Sequence, residues 1–141
     1  MSPTEIAEAA RGWVGTPYRH AAALRGVGCD CLGLVRGLWS ELGGGALPTL
    51  PPYRPDWRDW SHVAALSALA ERHLVAADLA VRPGRVLLFR LHGAPWPRHC
   101  AIAVMPDRIV HAQERLGVVE APLTLAWQRR IAGAWSFPFE D

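Results

Sequence analysis

The chain has 141 residues, half of them hydrophobic, and a formal net charge of +2. That length and composition suit one globular domain with an ordinary core, so residues 1–141 are read as a single unit. So mild a charge, with no arginine cluster interleaved with aromatics, argues against nucleic acid as a partner, and no apolar run approaches the ~20 residues of a membrane span.

All fifteen basic residues are Arg, as a GC-rich coding sequence would produce, and three cysteines do not make a disulfide framework. Met1 to Arg11 lacks a charged start followed by an apolar stretch, so no secretory signal is expected. Ser2-Pro3-Thr4-Glu5 has the form of a capping box with Pro at the first helical position, predicting a helix from about Pro3 to Trp13. Gly15-Thr16-Pro17 breaks it, and a loop then carries Tyr18, Arg19 and His20 toward a second helix. Asp30 is a good N-cap for that helix; Leu32, Val35, Trp39 and Leu42 recur at helical spacing, and Gly43-Gly44-Gly45 ends it.

Between Gly43 and Trp60 four prolines predict an ordered loop packed by Tyr53, Trp57 and Trp60. Ser61 to about Ala76 follows as a helix with Val63, Leu66, Leu69, Ala70 and Leu74 on one side. Strands are expected at Val86–Phe89, His99–Val104, Arg108–Ala112, Gly117–Glu120 and Ile131–Phe137, with a loop over His92–Arg98 and a short helix within Leu123–Arg130. Helices first and meandering strands after give an α+β class with an antiparallel sheet.

Cys31 sits where that second helix begins. A thiol there feels the positive end of the helix and is biased toward thiolate, the nucleophilic form. With a base nearby it would support covalent catalysis. The commoner fate of a free Cys is that of a small buried hydrophobe. His99 and His111 stand on neighbouring strands and share a face only if the hairpin between them places them so. A three-residue loop, Met105 to Asp107, would put them diagonally together, and Ala101 and Ala103 on that face would leave room for the helix. Otherwise His111 is a satisfied histidine in a half-buried strand.

Zinc is the rival use of Cys29, Cys31, His99, Cys100 and His111. The C-x-C spacing is too short for the usual pair, and His99 and Cys100 point to opposite faces of a strand, so no metal and no cofactor is assigned. Tyr18 either donates to an oxyanion beside the Cys31 N–H or anchors its loop. Cys29 reads as a packing residue. His20 and His92 are expected to be solvated loop residues, and His62 and His73 to lie on the surface of the third helix. Trp13, Trp39 and Trp135 read as core; Trp57, Trp60 and Trp96 either line a groove or pack under the loops.

Asp30-Cys31-Leu32-Gly33-Leu34, His99-x-Ala101-Ile102 and Val110-His111-Ala112 together resemble the NlpC-type papain-like cell-wall peptidases. Gly15-Thr16-Pro17-Tyr18 and Arg82-Pro83-Gly84 fit the same pattern, and the ending from Trp127 through Arg130-Ile131-Ala132-Gly133-Ala134-Trp135-Ser136-Phe137-Pro138 resembles the branch found in phage tails and gene transfer agents. The resemblance implies a papain-like domain, with Cys31 as nucleophile, His99 as general base, His111 orienting it and Tyr18 at the active site. It further implies hydrolysis of peptidoglycan stem peptides, often between γ-D-glutamate and a diamino acid, without a cofactor. Delivery to the wall and the periplasm by a phage-like tail, with tail proteins as partners, agrees with the lack of a secretory signal. A structural wall-binding module that has lost hydrolysis, and an acyltransferase, are the alternatives on the same fold.

Three positions depart from the pattern. Leu32 follows the cysteine where many members have Ser, Ala21-Ala22 replaces a glycine pair, and Arg85 replaces an acidic residue after Pro-Gly. The first two are expected to alter substrate contacts in the cleft, and the third to remove a salt bridge or turn interaction.

Overall fold

The computed structural model describes residues 1–91 and 93–141, so the expectation for His92 lies outside the described residues. The Ser2 hydroxyl accepts from the Glu5 N–H at 3.1 Å and opens α1 (Pro3–Arg11), which buries Ile6, Ala7 and Ala10. The following loop holds a small hairpin that the sequence pattern did not reveal, β1 (Ala23–Leu24) and β2 (Gly28–Cys29). β2 leads directly into α2 (Cys31–Trp39). All but the last turn of α2 is buried nearly all round, as befits a central helix rather than a surface one. It continues through one wide turn, Ser40–Gly44, that ends at the glycines.

The proline-rich loop ends one residue earlier than expected: Trp60 opens α3 (Trp60–His73) and stays exposed rather than packing the loop. Val75 and Ala76, expected as the end of that helix, belong to β3 (Val75–Ala77). Then come β4 (Val86–Arg90), β5 (Pro97–Met105), β6 (Arg108–Gln113), β7 (Gly117–Pro122), α4 (Leu125–Gln128) and β8 (Ile131–Ser136). β5 begins at Pro97, inside the expected loop.

Six strands form one antiparallel sheet in the order β3-β8-β4-β5-β6-β7. It is not a simple meander, because β8 returns to pair between β3 and β4. Val86, Leu88, Cys100, Ile102, Val104, Val110 and Ala112 face the helices and share their core. Leu87, Phe89, Ala101, Ala103 and Ile109 face the other way, into a smaller core with Leu123, Ala134 and Trp127. Ala101 and Ala103 therefore do not make room for α2: the helix packs on the opposite face, against the even-numbered residues of β5.

The β5–β6 hairpin also differs from expectation. Its turn has two residues, Pro106 and Asp107, with Met105 paired to Arg108. Such a turn alone would separate the two histidines. A bulge at Val104 restores the register, Ala103 opposite Ile109 and Ile102 opposite Val110, and returns His99 and His111 to one face.

Candidate active site

Cys31 is the first residue of α2. The Asp30 carboxylate caps the helix, accepting from the Gly33 N–H at 2.7 Å. Its other oxygen accepts from the Ala21 N–H at 2.8 Å and from the Tyr53 hydroxyl at 2.5 Å. One buried carboxylate thus ties the helix start to two loops. Burial, and then the neighbouring Cys31, push its pKa upward against those hydrogen bonds. Upstream, the Cys29 N–H donates to the Pro17 carbonyl and the Arg19 N–H to the Cys29 carbonyl, both at 3.0 Å. That pairing fixes Tyr18 alongside the strand that feeds the helix.

His99 stands opposite Phe89 on β5 and is half-buried; His111 on β6 is 1% exposed. Their rings meet edge to face, with His99 Nε2 2.9 Å from His111 Nδ1. Cys31, 7% exposed, lines the same cleft as His99, close enough for His99 to act on its titration. Cys31, Tyr18, His99 and His111 line one cleft together with Trp57 and Trp127. The residues singled out by sequence are therefore brought together.

The electrostatics suit a thiolate. The Cys100 thiol, and then His99 by hydrogen bond and charge, hold the Cys31 thiol well below its ordinary pKa despite its burial. Cys100 also donates to the Cys31 carbonyl at 3.2 Å from the helix side of β5, and its own pKa is pushed well up by Cys31 and by burial. Burial, then the charge of His99, lower the His111 pKa to about 3, so His111 is neutral at neutral pH. Burial raises the pKa of Tyr18, which keeps its hydroxyl protonated as a donor. Cys29 is buried in the core with its pKa pushed up to about 12, chiefly by burial. His99 and Cys100 do lie on opposite faces. Among the described residues no group of three or more His, Cys, Asp or Glu is placed to hold a metal ion.

Several side chains escaped the sequence reading. Trp127 packs against both histidines, its ring 5.7 Å from His99 and 5.8 Å from His111. The Gln113 side chain reaches His111 Nε2 at 2.8 Å. Arg98 donates to the carbonyls of Trp57 and Arg58 and so fixes the Trp57 wall of the cleft to β5. His62 is buried rather than surface-exposed, with Nε2 2.7 Å from the Arg54 carbonyl, and it lines the cleft. His20 is half-buried, with Nε2 3.0 Å from the Tyr53 carbonyl, not solvated. His73 packs edge to face on Trp39. Trp13 is core, whereas Trp39 and Trp135 are only partly buried. Of the loop tryptophans only Trp57 lines this cleft; Trp60 and Trp96 pair with each other at 5.6 Å and are exposed.

Leu32 is 1% exposed and belongs to the core, so it alters no cleft contact. Arg85 is buried and makes an ion pair with Asp78 at 2.6 Å, adding an interaction where a loss was expected.

Comparison with solved structures places the fold of the chain among known ones. The NlpC/p60 domain of the peptidoglycan hydrolase SagA matches with a TM-score of 0.65 at 20% identity, over 97% of this chain and all of that one. The fold is that of the NlpC/P60 domains. An NlpC/P60 family protein from Bacillus cereus matches with a TM-score of 0.69 at 21% identity over 97% of this chain. A lipoprotein-like NLP/P60 family protein from Staphylococcus aureus matches with a TM-score of 0.62 at 20% identity over 96% of this chain. This chain spans about two-fifths of the length of the latter two, 40% and 41%. No family model matches the sequence, and no curated protein matches it either.

Proposed function

We propose that this domain is a cysteine peptidase that hydrolyses the stem peptides of peptidoglycan, with Cys31, His99 and His111 as its catalytic residues. One observation carries the reading. A thiol at a helix N-terminus shares a cleft with an imidazole whose far nitrogen is 2.9 Å from a second, neutral imidazole. That is the constellation a thiolate nucleophile requires. The neighbouring peptidoglycan hydrolase SagA supports the substrate class.

In this reading the Cys31 proton passes to His99, and the thiolate attacks the scissile carbonyl. The Cys31 N–H, at the start of the helix, and the Tyr18 hydroxyl stabilise the oxyanion. His99 then protonates the departing amine, and with His99 as base a water releases the acyl group from sulfur. We further propose the bond between γ-D-glutamate and the diamino acid as the target, and a phage-like or transfer-agent tail as the vehicle. Both rest on the sequence resemblance.

Mass spectrometry of purified sacculi after incubation tests this. Wild type is expected to release stem fragments, and Cys31→Ala to release none while keeping its circular dichroism spectrum. Equal digestion by the Ala variant would end the mechanism. Binding to sacculi without any release by wild type would favour a wall-binding module instead.

A further inference from the structure

Gln113 stands two residues beyond His111 on β6, and so on the same face. Its amide is 2.8 Å from His111 Nε2, while His111 Nδ1 is 2.9 Å from His99 Nε2. With Nε2 engaged by His111, proton exchange with Cys31 falls to the other His99 nitrogen, Nδ1.

Hydrogen-bond polarity then runs through the whole chain of groups. If His99 is to take the thiol proton at Nδ1, it becomes an imidazolium with a second N–H at Nε2, aimed at His111 Nδ1. His111 Nδ1 must accept that bond. A neutral His111 then carries its proton on Nε2, and that N–H needs an acceptor. The amide end now nearest His111 is the nitrogen, which would force the opposite polarity: His111 protonated at Nδ1, and His99 protonated at Nδ1 facing the thiol. A half-turn about the Gln113 Cγ–Cδ bond presents Oε1 in the same place, since the two ends of the amide are alike in size.

We infer that Gln113 is a positioning residue, whose amide oxygen accepts from His111 Nε2–H and so holds His111 in the tautomer that lets His99 act as base. This rests on the peptidase reading above. His111 is well suited to the part: burial and the charge of His99 keep it neutral, so its tautomer, rather than its charge, is what remains to be set. His99 is its titratable neighbour; Cys31, Tyr18, His62, Arg98 and the exposed Glu114 are the other titratable or charged groups that line the cleft with them.

Two variants separate the roles. Gln113→Met keeps the size and removes the acceptor; Gln113→Glu keeps an acceptor and, ionised, cannot donate. The first readout is the rate of Cys31 alkylation by iodoacetamide against pH, with the label located by peptide mass spectrometry. The second is kcat and KM on sacculi. Gln113→Met is expected to raise the alkylation midpoint by about one pH unit toward that of a free thiol, near 8.5. It should lower kcat about ten-fold or more with little change in KM. Gln113→Glu should recover both. The inference is overturned if Met matches wild type in the alkylation profile, or if Glu recovers nothing that Met loses. Absence of hydrolysis in wild type would sink the peptidase reading alone, since the alkylation profile still reports whether Gln113 acts on Cys31 through the histidines.

Discussion

Ala21 carries a φ of 58°, in the left-handed region that glycine occupies most readily. It is held there because its N–H donates to the buried Asp30 carboxylate. This is one of the two positions where the resembling family has glycine. Ala21→Gly is expected to stabilise the fold by about 0.5–1 kcal/mol, read as a higher urea midpoint at unchanged slope. A lower midpoint would show that the turn bears no strain. At this scale Cys31, His99, His111 and Tyr18 were legible, since each is marked by an adjacent signal: a cap, a strand pattern or a loop break. Gln113 left one trace, a polar residue sharing the inward face of an apolar strand with a histidine. Tyr53 was legible only as packing for its loop and Trp127 only as part of the C-terminal resemblance, neither as a residue of the site. Tyr53 reaches the site across 23 positions of chain to bond Asp30, and Trp127 comes from a segment that returns only through the sheet order.

The element that matters most is the start of α2. A Cβ on Gly33 would fall 1.7 Å from the Ala22 carbonyl oxygen, a backbone atom with no easy escape. Gly33 is thus where the loop behind Tyr18 lies directly on the helix, and its N–H is also the one capped by Asp30. Gly33→Ala is expected to cost more than about 3 kcal/mol or to lift the loop off the helix. Denaturant unfolding reads the first outcome, and faster alkylation of Cys31 reads the second; a variant unchanged in both would contradict the contact. Helix and strand positions were largely legible from periodicity and caps. The pairing of strands was not: β8 inserts between β3 and β4, a long-range choice that local pattern does not encode. Nor was the face that receives α2, because β5 is buried on both sides and its apolar residues no longer alternate with polar ones.

Across the whole molecule, the buried histidine makes stability depend on pH. In the unfolded chain His111 titrates near 6.5, and in the folded protein near 3. Between these values the unfolded state binds the extra proton, so stability rises with pH through the window and is lost progressively as pH falls from about 6.5 toward 3. Urea unfolding at pH 7 and at pH 5 is expected to give a lower midpoint at pH 5, with a smaller difference in His111→Gln. An equal difference in the variant would assign the acid sensitivity to other groups.

The bulge at Val104 has a bearing on how the chain can vary. Side chains alternate across a strand, so the distance between His99 and His111 is also a matter of odd and even. A turn lengthened or shortened by a single residue would carry His111 into the helix-side core and bring an aliphatic neighbour to the cleft. Gain or loss in this hairpin is therefore tolerable in twos, or in ones only where a compensating irregularity appears or vanishes beside it.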